Sequence, residues 1–183
     1  MSNDVPVVGG HGETSLPRLL SSLRATLHPE TYVFATIPAE EFQINDLPVP
    51  LDQICLFFRE PRQQHGEAGA TTGKVQTDTV TLIVRLETAR AHPRRLAEYT
   101  YPCRMITCAV HSSLEAVGFM AVLAARLAQR GVSVNPVSAF YHDHLFVPVE
   151  RADEAVAVLA EVREEAVREL QGEGGRGSGN QGF

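Results

Sequence analysis

Lysine is nearly missing from this chain. Lys74 stands alone of its kind, and the 183 residues carry a formal charge of -6. With no basic stripe to neutralise phosphates, neither nucleic acid nor an anionic membrane surface is expected as a partner. No apolar run approaches the ~20 residues that span a bilayer. The residues after Met1 include Asn3 and Asp4 and no basic apolar stretch, so no signal peptide is expected either. Cysteine is sparse and odd in number. Cys55, Cys103 and Cys108 contain no C-x-x-C pair, which argues against a thiol redox couple or a cysteine-built metal framework. Cys103 and Cys108 flank an apolar run with strand character, so both read as buried reduced thiols, and a cytoplasmic location follows. What is present is ordinary: 44% hydrophobic and 21% charged residues, the balance of a chain that buries a core in water.

Along the chain, residues 1–13 are polar and read as a flexible N-terminus. Leu16, Leu19, Leu20, Leu23 and Leu27 then fall on one helical stripe, with Thr14 or Ser15 as cap, Pro17 in the first turn and Pro29 as the stop. Tyr32–Ala35, Ile54–Phe58 and Val80–Val84 are short apolar runs of strand formers. Prolines and Asn45-Asp46 mark a loop between the first two runs. Between the second and third, residues 61–78 form a polar insertion without periodicity. A short helix is expected from Glu87 toward Leu96, interrupted at Pro93. These elements make an N-terminal half over 14–100.

The C-terminal half, 101–170, is more regular. Met105–Val110 reads as a buried strand. Ser112 and Glu115 have the S-x-x-E spacing of a capping box, ahead of a helix with Leu114, Val117, Ala121, Ala124 and Ala128 on one face. Met120, Leu123 and Leu127 widen that face, Gly118 lies inside the helix as a point of close approach, and Gly131 ends it. Strands at Val132–Phe140 and Leu145–Val149 follow. The final helix starts near Asp153, with Ala155, Leu159, Val162, Ala166 and Leu170 inward. Residues 171–183 read as a disordered glycine-rich tail. The order strand, helix, strand, strand, helix is a ferredoxin-like α/β (α+β) plan with an antiparallel sheet, lacking its last strand. That strand must come from the first half or from a second copy of the chain.

The plan brings two polar segments to one end of the sheet. The first strand delivers the chain to His111-Ser112-Ser113, and the hairpin Tyr141-His142-Asp143-His144 returns beside it. The N–H groups of Leu114 and Glu115, together with the two serines, suit an anion. Asp143 and Glu115 suit an ammonium, so an amino-acid-like zwitterion fits the set. The plainer readings stand beside this one: Ser112 and Ser113 as helix caps, and Asp143 as a turn residue between two hairpin histidines. His142 and His144 alternate as if on one strand face, and with His111 they would make a metal-dependent enzyme site, but no metal-binding framework accompanies them. A Ser112, His142, Asp143 triad lacks a nucleophile elbow. A structural partner subunit whose sheet end is buried against another protein is the remaining alternative. No catalytic residue, metal or cofactor is assigned.

The runs H-S-S-L-E-A-V-G at 111–118 and N-P-V-S-A-F-Y-H-D-H-L-F-V-P at 135–148 resemble the signature of a family of ACT-domain proteins, DUF2241 or ACT_3. The segment Leu16–Phe34 and the strand ending Phe58-Arg59-Glu60 resemble it too. Where relatives turn tightly after the matching glutamate, this chain inserts residues 61–78. The resemblance implies tandem ACT-like βαββαβ modules, similar to those of aspartokinases and CASTOR-type arginine sensors. It further implies a regulatory, non-catalytic protein that binds a small effector, commonly an amino acid, at module interfaces and often as a dimer.

Overall fold

The computed structural model describes residues 12–43, 45–61, 78–110 and 115–176. Residues 1–11, most of the insertion and residues 177–183 lie outside the described part, as do His111, Ser112, Ser113 and Leu114 of the expected site. The fold is mixed α/β with the ferredoxin-like arrangement of antiparallel strands. Two compact units are present, Met1–His28 with Met105–Phe183 and, separately, Pro29–Arg104. The division therefore differs from halves at 14–100 and 101–170, because the first helix joins the C-terminal core.

In the discontinuous unit, α1 spans Leu16–Ser22. Its stripe of leucines buries Leu19 and places Leu23, just past its end, at 2% exposure. Ser15 makes no side-chain cap. Instead the Glu13 carboxylate accepts the N–H groups of Thr14 at 2.9 Å and Ser15 at 2.8 Å. The helix expected to reach Leu27 stops at Ser22, and β1 runs over Arg24–Pro38 with Pro29 inside it. Ala25 and Leu27 pack toward the core at strand spacing, so the last part of the leucine stripe belongs to an alternating strand. β4 (Tyr99–Ala109), β5 (Asn135–Ser138) and β6 (Asp143–Pro148) complete this unit's sheet in the order β1-β4-β6-β5. The start of β1 thus fills the place of the missing closing strand. Helices α3 (Phe119–Gln129) and α4 (Ala152–Arg176) join α1 over a core of Leu19, Ile106, Leu123, Leu127, Leu145 and Leu159, among others.

Helix α3 begins later than its capping-box spacing suggests. Gly118 is its N-cap, in a left-handed conformation at φ 93°, and not an interior residue. An added Cβ there would meet Leu16 Cδ2 at 3.3 Å, so the close approach is to α1. The buried stripe of α3 is Phe119, Leu123 and Leu127, while Ala121 and Ala128 face out and Val117 is 83% exposed. Phe119 fixes this phase, since the largest side chain of the first turn gains most from burial. At the other end Gly131, at φ 67°, closes the helix. Its N–H reaches the Ala128 carbonyl, and the Val132 N–H reaches that of Leu127. Strand β5 is shorter than the expected 132–140. Helix α4 buries Ala155, Leu159, Val162 and Ala166 as its spacing predicts, and continues past Gln171 to Arg176. Arg126 of α3 forks onto Glu165 of α4 at 2.6 and 2.7 Å, fixing the two helices at their outer edge.

In the unit Pro29–Arg104 the strand order is β2-β3-β1-β4, with β2 at Ile54–Glu60 and β3 at Thr79–Arg85. Val33, Ala35 and Ile37 of β1 and Val80, Leu82 and Val84 of β3 alternate into one core beneath the short helix α2, Leu86–Ala91. The crossover between β1 and β2 carries two 3-10 turns, Ala39–Glu41 and Leu51–Gln53, in place of a helix.

Candidate functional site

β4 and β6 are neighbours, and the end of one lies beside the start of the other. Thr107 Oγ1 is 3.0 Å from His144 Nδ1, and one residue on, the charge of Asp143 acts on the Cys108 thiol. Thr107 and Cys108 of β4 thus lie beside His144 and Asp143 of β6, while His111, Ser112 and Ser113, the residues expected to meet the hairpin, lie outside the described residues.

Asp143 is the first residue of β6, paired with Ser138, and not a turn residue. The hairpin turn is Phe140-Tyr141, closed by the Ala139 N–H on the His142 carbonyl at 3.0 Å. Strand entry turns Asp143 to the helix-covered face, where it keeps only 8% of its exposure. A buried carboxylate of this kind is costly unless a cation or donors meet it. Its burial and that of Cys108 go together: desolvation first, then the Asp143 charge, push the Cys108 thiol up to about 12.

The opposite face of the sheet holds a feature that sequence reasoning missed. Ile106 and Cys108 point into the core, so Thr107 points away. Its hydroxyl lies between His144 and His28, whose Nε2 is 2.7 Å from Oγ1. Two imidazoles on β1 and β6 are thus bridged by one hydroxyl on β4. A hydroxyl donates one proton and accepts at two lone pairs, so the bridge couples the two tautomers. His144 is held below its ordinary value by burial, then by His142 and His28, with Asp143 opposing. The signal for His28 was its alternation with Leu27, legible only once Arg24–Pro38 is taken as a strand.

The remaining candidates are more exposed. Tyr141 is 75% exposed and stacks edge-on with Phe140 at 4.8 Å. His142 is exposed and directly precedes β6, and its charge acts on His144. Among the described residues no three His, Cys, Asp or Glu side chains are grouped to hold a metal. Glu115 is exposed, in a turn ahead of α3. Since that helix starts at Phe119, its N-terminal dipole does not fall on the N–H of Glu115. Among the described residues no helix is long and apolar enough to cross a membrane.

Residues 98–161 and residues 11–62 each match a family model described as an ACT domain. Among solved structures, a protein of unknown function from Vibrio cholerae, described as a possible transport protein, is 32% identical. The match covers 82% of this chain and 97% of that one, with a TM-score of 0.60. The regulatory subunit of aspartate kinase from Thermus flavus matches 75% of this chain and 95% of its own at 11% identity and a TM-score of 0.56, a likeness of fold. Its counterpart from Thermus thermophilus, in ligand-free form, gives 11% identity over the same shares and a TM-score of 0.53. No curated protein matches the chain.

Proposed function

Because this chain belongs to the ACT-domain family, we propose that it is a regulatory protein that binds a small amino-acid-like effector where β4 ends beside β6. Asp143, buried at the start of β6, carries the reading: it supplies the negative charge for a ligand ammonium, with Glu115 at the rim. The hydroxyls of Ser112 and Ser113 and the N–H groups of Leu114 and Glu115 take the anionic end. His111, Tyr141, His142 and His144 shape the walls. The arrangement needs no nucleophile and no metal, consistent with a binding role in place of catalysis. Binding acts by stabilising one pre-existing state over another, to the extent that the ligand's affinities for the two differ. A second copy of the chain as partner and a reducing, cytoplasmic setting complete the proposal, the latter supported by the buried thiols of Cys103 and Cys108.

Thermal denaturation in the presence of each of the twenty amino acids at millimolar concentration tests it. A ligand at about 100 times its Kd adds roughly 2.7 kcal/mol and raises the midpoint. At least one amino acid should do so for the native chain and not for Asp143→Asn. An unmoved midpoint across the whole panel would sink the reading.

A further inference from the structure

A second site lies within the unit Pro29–Arg104, where a cavity of about 610 Å³ opens at the foot of β2 and β3. Tyr32 and Arg85 are direct cross-strand partners, so their side chains stand together on one face. The β2 register slips between Ile54 and Leu56, and the bulge falls on Cys55, which lines the cavity. Bulges of this kind re-aim a side chain out of a regular ladder. Glu87, Thr88 and Ala91 of α2, at three- and four-residue spacing, present one helix face to the same space. Thr88 is 6% exposed there, and Asp52 and Gln53 close the rim.

The charges are arranged for a ligand with both signs. Arg85 hydrogen-bonds Tyr32 and lies 3.5 Å from Glu30 and 3.7 Å from Glu87; a guanidinium carries five N–H donors, so this paired head still has N–H groups to offer a carboxylate. Asp52 and Glu87 line the same cavity and have no basic residue there except Arg85. Tyr32, Thr88 and Gln53 add hydroxyl and amide groups to the lining, and the volume falls in the range of small-molecule sites. From this we infer that the cavity binds a small zwitterion of dipeptide size, its carboxylate on Arg85 and Tyr32, its ammonium on Asp52 and Glu87. This site is independent of Asp143 and of the effector reading above.

Cys55 reports on occupancy, since its thiol lies in the cavity while Cys103 and Cys108 are buried. The rate of Cys55 alkylation on the full chain is measured with L-alanyl-L-alanine, N-acetyl-L-alanine or L-alanine amide present. The dipeptide should slow alkylation. The two single-charge analogues should need at least about tenfold higher concentration, the worth of one charged hydrogen-bonded contact. Arg85→Lys, which keeps the charge and loses the fork, and Glu87→Gln should each weaken protection by a similar factor, whereas Asp143→Asn should not. No protection at about 10 mM dipeptide would overturn the inference. Equal protection by N-acetyl-L-alanine would do the same, since it would reveal an ordinary anion site.

Discussion

Thr107 and His144 face each other across β4 and β6, hydroxyl oxygen to Nδ1 at 3.0 Å, with His28 on the far side of the same hydroxyl at 2.7 Å. The three side chains tie three adjacent strands on the face away from the helices. Thr107→Val keeps the shape and removes both bonds, leaving two half-buried imidazoles short of a partner. A loss of about 1–3 kcal/mol in urea denaturation is expected, and Thr107→Ser should restore most of it. If valine and threonine prove equally stable, the bridge is only a surface contact.

The same cluster sets a pH dependence. Burial holds the folded His144 below 6.5, while the unfolded chain takes up its proton near the ordinary value. Between the two values the unfolded state binds more protons, so stability is intact above about pH 6.5 and falls as pH drops toward the folded value. His142 and His28 add to this direction and Asp143 opposes it. Denaturation midpoints followed from about pH 7.5 to about pH 5 should decline, with a shallower slope for His144→Gln. An NMR titration placing the His144 imidazole above its free value would reverse the sign.

How much of this was legible in the sequence depended on whether neighbours along the chain carried the signal. Gly131 as a stop, the inward stripe Ala155–Ala166 and the strands around Ile54 and Val80 needed only local periodicity, and local periodicity was there. The segment from Leu23 to Pro29 is ambiguous because leucines at 16, 19, 20, 23 and 27 satisfy a helical period, while Ala25 and Leu27 equally satisfy a strand; pairing with β4 decides between them. The S-x-x-E spacing places the helix cap early and so puts Gly118 inside the helix, whereas Gly118 is its N-cap. The convergence of Asp143 with the end of β4 followed from topology. The burial of Asp143 and the His28 bridge did not, because both depend on register across strands far apart in sequence.

Leu19 of α1 is fully buried in the core that α3 and α4 share. Leu19→Ala should cost about 2–5 kcal/mol and lower amide-exchange protection along α4 more than along β2. Equal loss in both would mean that the chain does not divide as its contacts suggest.

Thiol chemistry offers a simple check on the packing. Cys103 and Cys108 are fully buried, and burial pushes each thiol up to about 12. Cys55 is also raised by burial, with Arg85 acting in the opposite direction, but it is exposed at the cavity. Mild alkylation near pH 8 followed by intact-mass measurement should therefore give a single adduct, at Cys55. Two or three adducts at similar rates would contradict the described core.

Amide chemical shifts read the meeting of β4's end with Asp143 directly. When an amino acid that raises the thermal midpoint is titrated in, the largest changes should fall on Cys108–Val110 and His142–Leu145, and should disappear in Asp143→Asn. Shifts confined to Cys55, Arg85 and Thr88, or scattered without a centre, would show that the ligand binds elsewhere and that Asp143 is buried for reasons of its own.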